Sequence, residues 1–132
     1  MKYLVLFFCI TISFFGLSCK KTPNQDQVKV ISPKEMEVFF KTDSVQLIDV
    51  RTPKEFREGF IDKAQNIDFF STTFKDEISK LNKAKPVFVY CRSGRRSGKS
   101  VSVFLDAGFT KIYDLKGGLL NWKSQGLKTK NR

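Results

Sequence analysis

The chain of 132 residues contains no histidine. That removes the Ser-His-Asp and Cys-His arrangements from consideration. Cysteine is scarce: with no His, and with Cys9, Cys19 and Cys91 lacking metal-ligand spacing, no zinc site is expected. Acids are outnumbered, 13 Asp and Glu against 24 Lys and Arg, for a formal net charge of +11. No nucleic-acid motif accompanies this excess and the lysines are dispersed. The charge therefore points to an anionic membrane surface or to small anionic substrates, not to nucleic acid. One apolar run, Tyr3 to Phe15, stands out, and it is short of the roughly 20 residues a spanning helix needs. The length suits one domain, expected as a monomer.

What is present begins with that run. Met1-Lys2 precedes it and Gly16-Leu17-Ser18-Cys19 follows, which reads as a signal peptide over residues 1–18. Small residues at 16 and 18 suit cleavage after Ser18. Cys19 beside a small residue also resembles a bacterial lipoprotein signal, although Leu17 stands two places before the Cys and the motif usually has Leu three before it. The expectation is lipidation at Cys19, a polar tether over residues 19–27, and attachment to the periplasmic side of a bacterial membrane. A soluble periplasmic form is the alternative. Cys91 is then the lone free thiol of an exported chain, with no intramolecular disulfide partner.

Strand and helix signals alternate along the rest. Val28 to Ile31 is a short strand. Ser32-Pro33-Lys34-Glu35 is a capping box opening a helix to about Phe40. Val45 to Val50 is an apolar strand of the kind a covered parallel sheet uses. Thr52-Pro53-Lys54-Glu55 is a second capping box. Residues 71–82 predict a helix capped by Ser71, with Phe74, Ile78 and Leu81 on one face. Val87 to Tyr90 is a central strand. Ser97 opens a helix that Gly108 stops. Lys111 to Leu115 is the last strand, Gly117-Gly118 a tight turn, and Leu119, Leu120 and Trp122 pack a final helix. Lys128 to Arg132 reads as a frayed basic tail. This alternation predicts an α/β fold around a mainly parallel sheet, with its site at the C-terminal strand ends.

The stretch that carries chemistry is Val-Phe-Val-Tyr-Cys-Arg-Ser-Gly-Arg-Arg-Ser, residues 87–97. It places Cys91 between a buried strand and a helix start. Backbone N–H groups there lack intrahelical partners, and the helix dipole adds partial positive charge. Arg92, Arg95 and Arg96 add permanent cations. All three effects favour thiolate over thiol and attract a small anion. The reading is an activated nucleophile. A buried structural cysteine beside a solvated arginine turn is the bland alternative.

Cys91-Arg92-Ser93-Gly94-Arg95-Arg96-Ser97 after this strand resembles the active-site loop of the rhodaneses, thiosulfate sulfurtransferases. Leu47-Ile48-Asp49-Val50-Arg51-Thr52-Pro53 resembles their upstream signature. Gly59-Phe60-Ile61, Ala64-Gln65-Asn66-Ile67 and Gly117-Gly118 with Trp122 fall where the family has its other motifs, so the likeness covers residues 28–127. It implies a five-stranded sheet with helices on both faces. It also implies persulfide relay at Cys91, a covalent sulfur chemistry that implies no metal and no organic cofactor, and donor binding by Arg92, Ser93, Gly94, Arg95, Arg96 and Ser97. The partners would be a small anionic sulfur donor and a thiol acceptor. Asp49 and Arg51 would organise the loop as an ion pair. The chain departs from the family at Phe60, where His is common, and at Asp62-Lys63, where Pro-Gly is common. A cysteine phosphatase or arsenate reductase on the same fold is the enzymatic rival; it would need Arg six places after the Cys, where Ser97 stands. A non-catalytic binding module is the other.

Overall fold

The computed structural model describes residues 26–42 and 45–131. The leader, the cleavage bond, Cys19 and most of the tether fall outside the described residues. Five strands form one all-parallel sheet in the order β1-β5-β4-β2-β3: β1 Val28–Ile31, β2 Gln46–Asp49, β3 Gln65–Asn66, β4 Val87–Tyr90 and β5 Ile112–Leu115. The helices are α1 Pro33–Thr42, α2 Pro53–Arg57, α3 Phe74–Ser79, α4 Arg95–Asp106 and α5 Gly118–Ser124. β3 is a two-residue strand that the sequence pattern did not signal; it has no apolar run of its own and pairs through Ile48 and Asp49.

Both faces of the sheet are covered. Ile48, Val50, Val87, Val89, Cys91 and Ile112 share one apolar layer with Phe74 and Ile78 of α3 and Phe104 of α4. Leu47, Phe88, Tyr90 and Leu115 share the other with Met36 of α1 and with Leu119 and Trp122 of α5. Strand residues alternate between these layers, as the pleat requires. β4, buried at every position, sits mid-sheet.

Local chemistry accounts for the element ends. In α1 the Ser32 backbone N–H donates to Glu35 Oε2 at 2.7 Å and the Glu35 N–H donates to Ser32 Oγ at 3.3 Å. In α2 Thr52 and Glu55 form the same reciprocal box with Pro53 at the first helical position. Three expectations need correcting. Ser71 is not a cap: its Oγ accepts from the Thr73 N–H at 3.1 Å in a local turn, and α3 is only Phe74–Ser79. α4 starts at Arg95 rather than Ser97, because Gly94 takes φ +94° and turns the chain into the helix at once. The tail is not frayed as far as Asn131. The Phe60 and Lys130 backbones exchange two hydrogen bonds of 2.8 Å, and Lys130 Nζ meets Asp62 Oδ1 at 2.7 Å.

Candidate active site

Cys91 follows β4 directly and is 1 % exposed. Its Sγ accepts from the Gly94 backbone N–H at 3.1 Å and from the Ser97 hydroxyl at 3.6 Å. The Cys91 carbonyl accepts from the Leu119 N–H at 2.8 Å, and the Arg92 carbonyl from the Leu120 N–H at 3.0 Å. These bonds lock the loop onto the start of α5. The approach is possible only because residue 118 has no side chain. A Cβ there would stand 2.5 Å from the Cys91 carbonyl oxygen and 2.7 Å from the Arg92 carbonyl carbon, and φ is +60°.

The cations divide into two groups. Arg92 and Arg95 project from the loop and the first turn of α4 as exposed side chains, with Ser93 exposed beside them. Arg96 is committed elsewhere: its Nη1 and Nη2 each donate to one Glu55 oxygen at 2.7 Å, and its guanidinium lies 5.7 Å from the centre of the Phe70 ring. The Arg96 fork holds the Glu55 carboxyl down at about 2, against an ordinary value of 4.5, with the Thr52 backbone and hydroxyl helping. Thus the helix that begins at Arg95 is clamped to the helix capped by Thr52.

Asp49 and Arg51 are brought together, on the other face of the sheet from Cys91. Arg51 Nε lies 3.0 Å from both Asp49 oxygens, and its Nη2 is 2.7 Å from Oδ2. Nη2 also donates to the Gly59 carbonyl at 2.6 Å, and Asn66 Nδ2 donates to the carbonyls of Asp49 and Arg51. Both charged side chains are buried, and each is the other's neutralising partner. Beside them, burial pushes the Tyr90 phenol up, and the Asp49 carboxylate adds to the shift. The Tyr90 hydroxyl accepts from the Ile61 N–H at 3.1 Å. Phe60, at the common His position, stacks on Phe56 with centroids 4.3 Å apart and is nearly buried.

Next to the Cys91 loop lies a cleft of about 230 Å³ at the C-terminal edge of the sheet. Arg51, Arg92 and Lys123 line it together with Glu55, Glu58 and the apolar Leu119 and Leu120. Lys123, Glu55 and Glu58 were not read as cleft residues from the sequence because they come from α5, from α2 and from the residue that caps α2, far from the loop in sequence. Among the described residues no three His, Cys, Asp or Glu side chains converge on a possible metal site.

A buried thiol facing an N–H and a hydroxyl, at the strand ends of a parallel sheet and under a helix N-terminus, defines an α/β protein with a cysteine-centred anion cradle. Residues 32–125 match the rhodanese-like domain, and the chain belongs to that family. It is similar to a sulfurtransferase of Allochromatium vinosum, 33 % identical over 86 residues that cover 65 % of this chain and 78 % of the relative. It is similar to the tRNA uridine(34) hydroxylase of Pelagibacter ubique, 35 % identical over 109 residues, which cover 81 % of this chain but 35 % of that longer protein. Among solved structures, a rhodanese-like domain protein from Staphylococcus aureus superposes with a TM-score of 0.65 at 31 % identity, covering 78 % of this chain and 99 % of the other.

Proposed function

We propose that the protein is a sulfurtransferase that carries sulfane sulfur on Cys91, with thiosulfate or a similar anion as donor. The Cys91 thiolate attacks the outer sulfur of thiosulfate. A new S–S bond forms, the S–S bond of the donor breaks, and sulfite leaves with the electron pair. The Gly94 N–H and the Ser97 hydroxyl stabilise the attacking Cys91 thiolate, and Arg92 and Arg95 draw in the donor. A thiol acceptor, or cyanide in the test tube, then takes the sulfur. The observation that carries this reading is the pair of donors aimed at Cys91 Sγ, 3.1 Å and 3.6 Å away. The phosphatase rival loses support because Arg96, five places after Cys91, is bound to Glu55 rather than turned into the loop.

The test is the intact mass of the purified chain after exposure to thiosulfate, with sulfite followed in the same tube. The wild type should gain one sulfur atom that cyanide removes, and Cys91→Ser should gain none. A wild-type chain that takes up no sulfur and releases no sulfite would rule out thiosulfate as donor, and polysulfide would be tried next. We propose further that residues 1–18 are removed and Cys19 carries a lipid. Metabolic labelling with an alkyne fatty acid, compared with Cys19→Ala, checks it.

A further inference from the structure

β5 carries an acid inside an apolar layer. Its residue Ile112 packs into the Cys91 layer, so Asp114, two places on, faces the same way. Asp114 stands opposite Val89 of β4, and Cys91 lies two residues beyond Val89 on the same face. The two are diagonal neighbours on adjacent strands, under the first turn of α4. Asp114 is 7 % exposed, and its buried Oδ1 has no hydrogen-bond partner.

Ser97 lies between them. Its fully buried hydroxyl is 3.6 Å from Cys91 Sγ, and the Asp114 carboxylate packs against the same turn, its Oδ2 3.7 Å from where a Cβ at the adjoining Gly98 would stand. A hydroxyl holds one proton and two lone pairs, so it can accept from one neighbour while giving to the other. Burial pushes the Asp114 carboxyl up to about 6, and the Ser97 hydroxyl pulls against that shift. The carboxyl thus changes charge near neutrality, the range useful to a proton acceptor. The charged groups around it do not neutralise it. β1 presents Val30 and β4 presents Val89. Of the α4 cations, Arg96 is held by Glu55, and Arg95 and Lys99 are exposed, as is Lys116 beyond β5.

We propose that Asp114 positions Ser97 and receives the Cys91 thiol proton through it. The S–H bond breaks as Ser97 Oγ takes that proton, and the Ser97 O–H bond breaks as Asp114 takes the other. No electrons change hands. The products are a thiolate, an intact hydroxyl that now donates to it, and a neutral carboxylic acid. When an acceptor removes the sulfur, the same protons return and restore the thiol. The inference rests on the persulfide reading and adds a positioning residue to it.

Two groups that share a proton titrate in two coupled steps. The experiment is the pH dependence of iodoacetamide alkylation at Cys91, read by peptide mass in the full chain. It is run on the wild type, Asp114→Asn, Ser97→Ala and Ser97→Thr. The wild type and Ser97→Thr should show two steps. Asp114→Asn, which keeps the shape but cannot titrate, should show one, as should Ser97→Ala. A single step in the wild type, or an Asp114→Asn profile that superimposes on it, overturns the proposal. As a check that needs no folded variant at Ser97, the infrared spectrum of the thiosulfate-loaded wild type should show a protonated carboxylic acid stretch; its absence also overturns the proposal. Sulfur uptake is measured separately by intact mass. Uptake with superimposed profiles overturns the relay and leaves the persulfide reading standing, whereas absent uptake overturns that reading whatever the alkylation profile shows.

Discussion

At Gly118 a missing methyl group decides whether the Cys91 loop can close. Gly118→Ala would drive a Cβ into the Cys91 carbonyl in a left-handed backbone. The loop and α5 would have to part. We expect a loss of about 2–4 kcal/mol in urea unfolding, from strain and overpacking combined, and loss of sulfur uptake. Lys63 presents the opposite opportunity. It holds φ +67°, the left-handed region, at the position where the family commonly has Gly. An L-residue there costs about 1–2 kcal/mol, against about 0.5–1 kcal/mol for the extra freedom that Gly loses on folding. Lys63→Gly should therefore raise the thermal midpoint by a few degrees and leave sulfur uptake unchanged, since Lys63 lies outside the cleft. The sequence marked both sites for a reason rooted in backbone sterics. The Gly117-Gly118 pair signalled a tight turn, and Lys63 was conspicuous as a departure. Asp114 was passed over, although an acid two places after Ile112 in a strand already breaks the apolar alternation of that face.

Among the elements, what was legible was local. Both capping boxes read directly from four residues each, because the side chain and the N–H it serves are neighbours. The start of α4 did not, since Gly94 caps through backbone conformation and leaves no side-chain signature. Nor did the clamp between α2 and α4, whose partners Glu55 and Arg96 are 41 residues apart. That clamp makes Glu55 serve two elements, as capping partner of Thr52 and as anchor of Arg96. Glu55→Gln keeps part of the cap but cannot answer the guanidinium with charge. It should destabilise the chain at neutral pH. Arg96→Lys should also destabilise it, because an ammonium cannot engage both oxygens in the fork. Chemical denaturation of the two variants, together with the alkylation rate of Cys91, tests whether the clamp also holds the loop. A slackened α4 start should expose the thiol and speed alkylation.

Across the whole molecule, these two carboxyls act on stability with opposite sign. Glu55 is held at about 2 in the fold against an ordinary 4.5, chiefly by Arg96. Its contribution is present above pH ~4.5 and is lost as pH falls towards 2. Asp114 is raised by burial to about 6 against an ordinary 3.8. It favours the fold below pH ~3.8, and that advantage is lost as pH rises through 6. At neutral pH its buried charge costs on the order of 3 kcal/mol. These two groups alone place maximal stability near pH 4–5, below the neutral range in which the proposed relay would work. Thermal midpoints from pH 2 to 8 should therefore rise and then fall in the wild type. Glu55→Gln should flatten the acid limb and Asp114→Asn the neutral limb, leaving Asp114→Asn the more stable protein at pH 7. If Asp114→Asn also loses the second alkylation step, the residue lowers stability and serves Cys91 through one and the same buried charge. A variant no more stable than the wild type at pH 7 would mean that solvent or a cation already compensates the carboxylate, and the relay would lose the raised proton affinity on which it draws.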